Sequence, residues 1–119
     1  MAKIVVIDDS KFMRRYLRAH LEAAGHEVEE WELLAAMEIP DKVAASAPDL
    51  VISDYMMPGC NGLTVAKMVR KVRPELPVLI ITALRDPAVM EQLRKQNVVE
   101  ILPKPLDPAV LKEAIRLLL

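Results

Sequence analysis

Five polar side chains in this sequence stand at the ends of short apolar runs, and their types suit phosphoryl-transfer chemistry. They are two adjacent carboxylates after one run, a carboxylate after a second, a hydroxyl ending a third and an ammonium after a fourth: Asp8, Asp9, Asp54, Thr82 and Lys104. Three carboxylates close together would repel one another and raise at least one pKa. A hard divalent cation such as Mg²⁺ relieves that repulsion and also binds phosphate oxygens. A carboxylate beside such a cation, with Lys and a hydroxyl nearby, is equipped to accept a phosphoryl group.

The elements that must position these residues alternate between apolar runs and helical patterns. Runs without polar alternation predict strands buried on both faces, and they cover residues 3–7, 50–53, 77–82 and, more weakly, 98–102. Residues 26–31 fit an edge strand. Strands that alternate with helices predict an α/β fold, here a single-domain flavodoxin-like (βα)5 doubly wound parallel sheet with strand order 2-1-3-4-5. Ligands of such sheets bind beyond the carboxyl ends of the strands, where the five polar residues are expected.

Helical spacing predicts four helices, over residues 11–24, 62–72, 86–96 and 107–118. Gly25 is expected to end the first helix, and Asp-Pro pairs are expected to begin the last two. Pro40 is predicted to break the ambiguous stretch 33–47 and to leave a helix from about residue 41 to 46. In the last helix the residues expected to face inward are Val110, Leu111, Ile115 and Leu118.

Composition excludes several classes of protein. The 119 residues are 53% hydrophobic, so a disordered chain is excluded, and this length predicts one domain over residues 1–119. With 16 basic and 17 acidic residues, the chain lacks the cationic excess that nucleic-acid binding needs. Cys60 is the single cysteine, which excludes an intrachain disulfide, and no apolar run is long enough for a membrane span. We therefore expect a cytoplasmic protein that binds neither nucleic acid nor membrane.

Each polar residue at the strand ends also has an ordinary structural explanation when it is taken alone. The Asp8-Asp9-Ser10 segment could be a helix N-cap, and Asp54 could belong to the Pro-Gly turn that follows it. Thr82 suits a strand, and a lysine such as Lys104 is usually solvated. The coincidence of all these residues at one predicted sheet edge is what favours a site.

Four segments together resemble the receiver domains of response regulators, of the CheY-like type, over essentially the full chain. They are residues 4–10 (IVVIDDS), 49–62 (DLVISDYMMPGCNG), 80–83 (IITA) and 102–105 (LPKP). The resemblance implies that Asp54 accepts the phosphoryl group and that Asp8 and Asp9 hold Mg²⁺ with it. It also implies that the backbone carbonyl of Met56 is a metal ligand. Thr82 and Lys104 would each bind a phosphoryl oxygen, and the Lys104–Pro105 bond would be cis.

The resemblance also implies partners for this chain. The phosphoryl donor would be a sensor histidine kinase or a histidine phosphotransfer protein, and slow hydrolysis would reset the switch. The output would be a downstream effector protein or a C-terminal output domain beyond this chain, and a homodimer formed on phosphorylation is allowed. The basic strip on the first helix is explained either as a solvated face or as part of the docking surface for the phosphotransfer partner; its residues are Lys11, Arg14, Arg15 and Arg18.

Two departures from the pattern of similar domains keep other functions open. Ile101 stands where similar domains carry Tyr or Phe, and residues 30–40 differ from the usual second strand and helix. One alternative is therefore a receiver-like interaction module that acts without phosphorylation. Another is a small Asp-dependent phosphohydrolase of the haloacid-dehalogenase-like type, although such enzymes carry Asp-x-Asp where this chain has adjacent Asp8 and Asp9. On the preferred interpretation the chain is a switch that catalyses its own modification, not a turnover enzyme.

Overall fold

Strands and helices alternate along the chain in the computed structural model, which describes residues 1–32 and 35–119. The strands are β1 (Lys3–Ile7), β2 (Glu27–Trp31), β3 (Leu50–Asp54), β4 (Val78–Thr82) and β5 (Val98–Pro103). The helices are α1 (Lys11–Ala23), α2 (Ile39–Ser46), α3 (Gly62–Val72), α4 (Pro87–Arg94) and α5 (Pro108–Leu118), with a 3₁₀ turn at Ala36–Glu38 before α2. All strand pairs are parallel and the order is β2-β1-β3-β4-β5. The predicted fold and strand order are confirmed.

The sheet is covered on both faces, because alternate residues of each inner strand point to opposite sides. On one side, residues such as Val5 and Ile80 pack with the buried residues of α2, α3 and α4. On the other side, Ile4 and Leu79 pack with the buried residues of α1 and α5. Every residue of β3 and β4 is buried, so these two strands form the rigid centre of the domain.

Polar caps begin the helices where the sequence predicts them. Ser10 accepts a hydrogen bond from the Met13 amide at the start of α1, and Asp86 and Asp107 cap α4 and α5, each followed by proline. Gly25 has a φ of 93° just beyond α1, a backbone conformation that favours glycine.

Two predictions about the helices are wrong. Pro40 does not break α2: it lies in the first turn, where the proline's missing N–H has no helical partner to lose. Of the ambiguous stretch 33–47, residues 33 and 34 lie outside the described residues. Val110 was expected to face inward but is 44% exposed, whereas Ala114 of the same helix is buried. The buried stripe of α5 therefore runs through Leu111, Ala114 and Ile115.

Candidate functional site

The carboxyl edge of the sheet brings together the acidic residues that the sequence singles out. Asp8 directly follows β1 and Asp54 is the last residue of β3; both are buried, whereas Asp9 is exposed. One carboxylate oxygen from each of these three residues lies within 4.8 Å of the others. Lys104 Nζ lies 2.9 Å from Asp54 Oδ1. The predicted convergence of three carboxylates and one ammonium is therefore present.

A single turn after β1 both aims Asp8 and starts α1. The Ser10 amide donates a hydrogen bond of 2.8 Å to Asp8 Oδ1. The Ser10 hydroxyl oxygen accepts from the Met13 amide at 3.3 Å. Because Ser10 binds the carboxylate through its backbone and caps the helix through its side chain, the Asp8 carboxylate has a defined orientation relative to α1.

Asp54 is held by close packing of the segment that follows it. The Tyr55 amide donates to the Ile81 carbonyl, and the Gly62 amide donates to the Tyr55 carbonyl at 2.8 Å. A Cβ at Gly62 would lie 3.0 Å from Tyr55 Cα and 3.2 Å from the Asp54 carbonyl oxygen. The absence of a side chain at Gly62 thus allows α3 to begin against the backbone of Asp54.

The Asp8 carboxyl carries the main electrostatic cost of this cluster. Burial raises the pKa of Asp8 from 3.8 to about 6, and the negative charge of Asp54 adds to the rise. The Ser10 amide and the charge of Lys104 oppose it without cancelling it. A divalent cation stabilises the ionised form of carboxylates that are buried and repel one another. Carboxylate oxygens are also the ligands that suit Mg²⁺. The residues present therefore fit the expected cation, with Asp8, Asp9 and Asp54 as its candidate ligands.

Thr82 and Lys104 border the acidic residues from β4 and β5. The Lys104 amide donates to the Thr82 carbonyl at 3.1 Å, so the two residues are joined through the backbone. The Thr82 hydroxyl oxygen accepts a hydrogen bond from the Leu84 amide at 3.0 Å, and Thr82 is buried. The Lys104–Pro105 peptide bond is cis, as the resemblance implies. Met56, whose carbonyl the resemblance implies as a ligand, lies two residues after Asp54 and is 63% exposed.

Arg14 lies in a different place from the one that the sequence suggested. It was assigned to an exposed basic strip, but it is only 7% exposed. Its Nη1 donates to the Asp8 carbonyl at 2.6 Å, and its guanidinium pairs with Glu30 and Glu32, at and beyond the end of β2. The signal that could have found it is the acidic edge strand beside α1, since buried arginine requires paired acids.

The fold is a doubly wound α/β domain. At the carboxyl ends of its strands lie a cluster of three carboxylates that could bind a cation, a lysine and a threonine hydroxyl. The chain belongs to the response regulator receiver domain family, whose model matches residues 4–116. It is therefore a receiver domain of two-component signal transduction. Within the described residues, no helix combines the length and apolarity that crossing a membrane requires.

Individual relatives support this assignment. Chemotaxis protein CheY of Thermotoga maritima is 28% identical over 113 residues, which cover 95% of this chain and 93% of that protein. The response regulator MprA of Mycobacterium sp. (strain KMS) is 35% identical over 98% of this chain, and the DNA-binding transcriptional regulator NtrC of Escherichia coli (strain K12) is 35% identical over 86% of it. The chain spans only 50% of MprA and 21% of NtrC.

A solved structure of high similarity is that of the chemotaxis protein CheY4 of Vibrio cholerae. It superposes with a TM-score of 0.88 at 29% sequence identity and covers 100% of this chain and 99% of that one. The similarity therefore extends over the whole chain. The described residues form the predicted arrangement of five strands and five α-helices.

Proposed function

We propose that this chain is a phosphorylation-operated switch in which Asp54 accepts a phosphoryl group from the phosphohistidine of a sensor histidine kinase or a histidine phosphotransfer protein. The observation that carries the proposal is the position of the Asp54 carboxylate. It is buried, it lies 2.9 Å from the Lys104 ammonium, and it shares a cluster within 4.8 Å with Asp8 and Asp9. This is the arrangement that attack on a phosphoryl group requires.

In the proposed step, an Asp54 carboxylate oxygen forms a bond to phosphorus while the bond from phosphorus to the donor imidazole breaks. The bonding electron pair leaves with the imidazole nitrogen. Mg²⁺, held by Asp8, Asp9, Asp54 and the Met56 carbonyl, would supply neutralisation of charge on the phosphoryl oxygens. Lys104 would exchange its contact with Asp54 for a phosphoryl oxygen, and the Thr82 hydroxyl would donate to another. The same residues catalyse slow hydrolysis, so the chain modifies itself and is no turnover enzyme.

The docking of a partner is supported by a cleft beside the site. A cavity of about 250 Å³ lies between α1 and the loop after β5, and its lining includes Lys104, Phe12 and Tyr16. Phe12 is 74% exposed, and its ring stacks on that of Tyr16 with centroids 6.3 Å apart. An exposed Phe12 ring stacked on a partly exposed Tyr16, in a cleft that Lys104 also lines, suits contact with a protein donor.

The output is proposed to be protein-based, through an effector protein or an output domain outside this chain, with a phosphorylation-dependent homodimer as a further form. Accepting the phosphoryl group would draw Thr82 and Lys104 inward and shift an existing equilibrium of α4, β5 and α5. Hydrogen exchange with and without a phosphoryl mimic such as beryllofluoride tests this step. Identical exchange of these elements in both samples contradicts the shift.

The proposed chemistry is tested by intact mass after incubation with a small acyl phosphate, with and without Mg²⁺. Wild type is expected to gain one phosphoryl group in the presence of Mg²⁺, and Asp54→Asn is expected to gain none. Asp41→Asn is the matched control, because Asp41 is an exposed residue at the start of α2 and should leave the gain unchanged. A folded wild-type chain that binds Mg²⁺ and gains no mass would contradict the proposal.

A second function, a receiver-like module that signals without phosphate, is favoured by one observation. Ile101, which replaces the expected aromatic residue, is partly buried and packs against the core between the sheet and α4. An isoleucine at this position lacks the aromatic ring that similar domains carry there and whose rotamer follows the threonine. Partner binding that is the same for wild type and Asp54→Asn would support this function over the first.

A further inference from the structure

Arg14 is the buried charged residue that the phosphorylation chemistry leaves without a role. It lies on α1, one turn after the Ser10 cap, and its guanidinium reaches across the end of β1 towards β2. A buried guanidinium is expensive unless its donors are paired, so the contacts that it makes indicate what it does.

The main contact of Arg14 is with a backbone atom of the acidic cluster. Arg14 Nη1 donates to the Asp8 carbonyl oxygen at 2.6 Å. That oxygen belongs to the peptide unit that joins Asp8 to Asp9, two of the candidate cation ligands. Among the described residues, the last bond between β1 and β2 is a long contact of 3.4 Å from the Asp8 amide to the Trp31 carbonyl. Within that part of the chain, Arg14 is the side chain that holds the carbonyl of the next peptide unit.

The guanidinium is itself held in place from β2. Arg14 Nε lies 3.6 Å from Glu30 Oε1, and Nη2 lies 3.5 Å from Glu32 Oε2. The other oxygen of Glu30 pairs with Arg18 at 3.1 Å, so this carboxylate is fixed between two arginines. Glu32 also lines a cavity of about 130 Å³ together with Asp9. Arg14 thus connects the acidic edge of β2 to the peptide that carries the cation ligands.

We propose that Arg14 is a positioning residue for the divalent cation: it fixes the Asp8–Asp9 peptide so that both carboxylates converge with Asp54, without touching the cation. This inference rests on the proposed function, since it assigns Arg14 to the same cation site. Residues that orient metal ligands from outside the coordination shell typically change metal affinity by about 10- to 100-fold when they are removed. The affinity of the site for Mg²⁺ should therefore depend on Arg14.

The test is calorimetric titration of Mg²⁺ into wild type, Arg14→Met and Arg14→Lys. Methionine removes the donors but keeps an unbranched side chain, and we expect the Kd for Mg²⁺ to rise about 10-fold or more. Lysine can donate one bond to the Asp8 carbonyl, so an intermediate Kd is expected. Arg18→Met is the matched control, because Arg18 lies on the same helix and pairs with Glu30 and Glu22, whereas Arg14 is the residue that donates to the Asp8 carbonyl. Its Kd should stay within about 2-fold of the wild-type value.

Arg14→Met is expected to fold, because its two acidic partners are not left stranded. Glu30 keeps Arg18, and the Glu32 side chain is 64% exposed. If Arg14→Met nevertheless unfolds, Glu30→Gln weakens the support of the guanidinium more gently and should raise the Kd for Mg²⁺ by a smaller factor. A Kd for Glu30→Gln equal to that of wild type then overturns the inference.

Two further measurements separate positioning from a merely structural role. In the metal-free protein, the Ser10 amide, which donates to Asp8 Oδ1, should exchange faster in Arg14→Met than in Arg18→Met. In phosphorylation with an acyl phosphate, the Mg²⁺ concentration for half-maximal rate should rise, while the maximal rate at saturating Mg²⁺ recovers. Wild type that binds no Mg²⁺ contradicts the proposed function. Wild type and Arg14→Met with the same Kd contradict only the role of Arg14.

Discussion

The two halves of the site edge are built differently. At the β1–β3 half, Asp8 and Asp54 are buried and are tied down by Ser10, Arg14 and the close approach of Gly62. At the β4–β5 half, residues 83–88 after Thr82 are all exposed, and the Lys104 side chain is 32% exposed. Within α4, all of whose residues are described, Leu93 is the single buried residue.

Under the proposed function, this difference assigns cation binding to the β1–β3 half and the conformational response to the β4–β5 half. Ligands need a preorganised site, whereas segments that move are drawn from regions with few buried apolar contacts. The pairing of β4 with β5 also contains a register shift between Val78 and Leu79, whereas β1 pairs with β3 in continuous register from Ile4 to Ile7. The proposed switch therefore places preorganised acidic residues in one half and the change of α4 and β5 in the half with fewer buried contacts.

The largest expected difference between the halves is in amide hydrogen exchange of the unphosphorylated chain. The amides of β3 should open only with global unfolding, because every residue of that strand is buried. The amides in the last turn of α4 should open locally and be protected at least about 100-fold less, a difference of about 3 kcal/mol in opening free energy. Equal protection factors measured by mass spectrometry or NMR for β3 and α4 would remove the basis of the comparison.

The β4–β5 half could be predicted from the sequence almost as well as the acidic half, because the same pattern of apolar strands with polar ends is present in both. β3 and β4 are continuous apolar runs that each end in a polar residue. The ends of these runs locate Asp54 and Thr82 directly. β5 fits the rule less well: Glu100 interrupts its apolar run, and the strand ends at Pro103, one residue beyond the predicted end and one before Lys104. In a parallel sheet the carboxyl ends of the strands lie side by side. The candidate site could therefore be predicted from the positions of the polar residues that follow each strand.

What the sequence could not predict depends on contacts between elements. The burial of Arg14 requires that β2 and α1 lie side by side with Glu30 and Glu32 facing the arginine, which periodicity within one helix cannot show. The start of α2 was missed because proline is tolerated in a first turn and excluded only later in a helix. The exposure of Val110 reflects the position of α5 on the sheet, which turns Ala114 inward in its place.

Gly62→Ala should cause the next largest effect and should act on the acidic half. An added Cβ would lie 3.0 Å from Tyr55 Cα and 3.2 Å from the Asp54 carbonyl oxygen, so backbone atoms must shift. We expect a loss of about 2 kcal/mol in the free energy of unfolding, measured by denaturant titration, because overpacking outweighs the better helix propensity of alanine.

Gly25→Ala is the control for Gly62→Ala, because nothing lies within 4 Å of a Cβ built there. It should lose about 1 kcal/mol from the strained backbone at a φ of 93°. It should also leave the Mg²⁺ affinity unchanged, whereas Gly62→Ala should weaken it by moving Asp54. Equal effects of the two substitutions on Mg²⁺ binding would show that the close approach at Gly62 does not position Asp54.

Asp8→Asn should reveal the electrostatic cost that the acidic half carries without a cation. The pKa of Asp8 is raised to about 6, so the folded state binds its proton more tightly than the unfolded state does. The stabilisation from that proton is complete below about pH 4 and is lost as the pH rises through about 6. In metal-free buffer we therefore expect Asp8→Asn to be more stable than wild type by about 1–2 kcal/mol at pH 7.5.

At pH 4 the same comparison should show a much smaller difference between Asp8→Asn and wild type, because Asp8 is then neutral in the folded protein and about half ionised in the unfolded one. The Asn side-chain oxygen can still accept the Ser10 amide bond, so the difference between the two pH values isolates charge. Mg²⁺ at pH 7.5 should reverse the order by stabilising wild type alone. A stability difference that does not depend on pH would show that Asp8 is not under electrostatic strain.

Thr82→Ala should cause the smallest effect, and it tests how lightly the β4–β5 half is held. The Thr82 hydroxyl oxygen accepts the Leu84 amide at 3.0 Å, but Leu84 lies in the exposed segment after β4, where water can replace the bond. We expect a loss of about 0.5–1 kcal/mol in the free energy of unfolding.

Thr82→Ser keeps the hydroxyl and should separate the contribution of the methyl group. A loss above about 2 kcal/mol for Thr82→Ala but not for Thr82→Ser would mean that this hydroxyl bond anchors the loop before phosphorylation. In that case both halves of the edge are preorganised, and the response must begin further along α4.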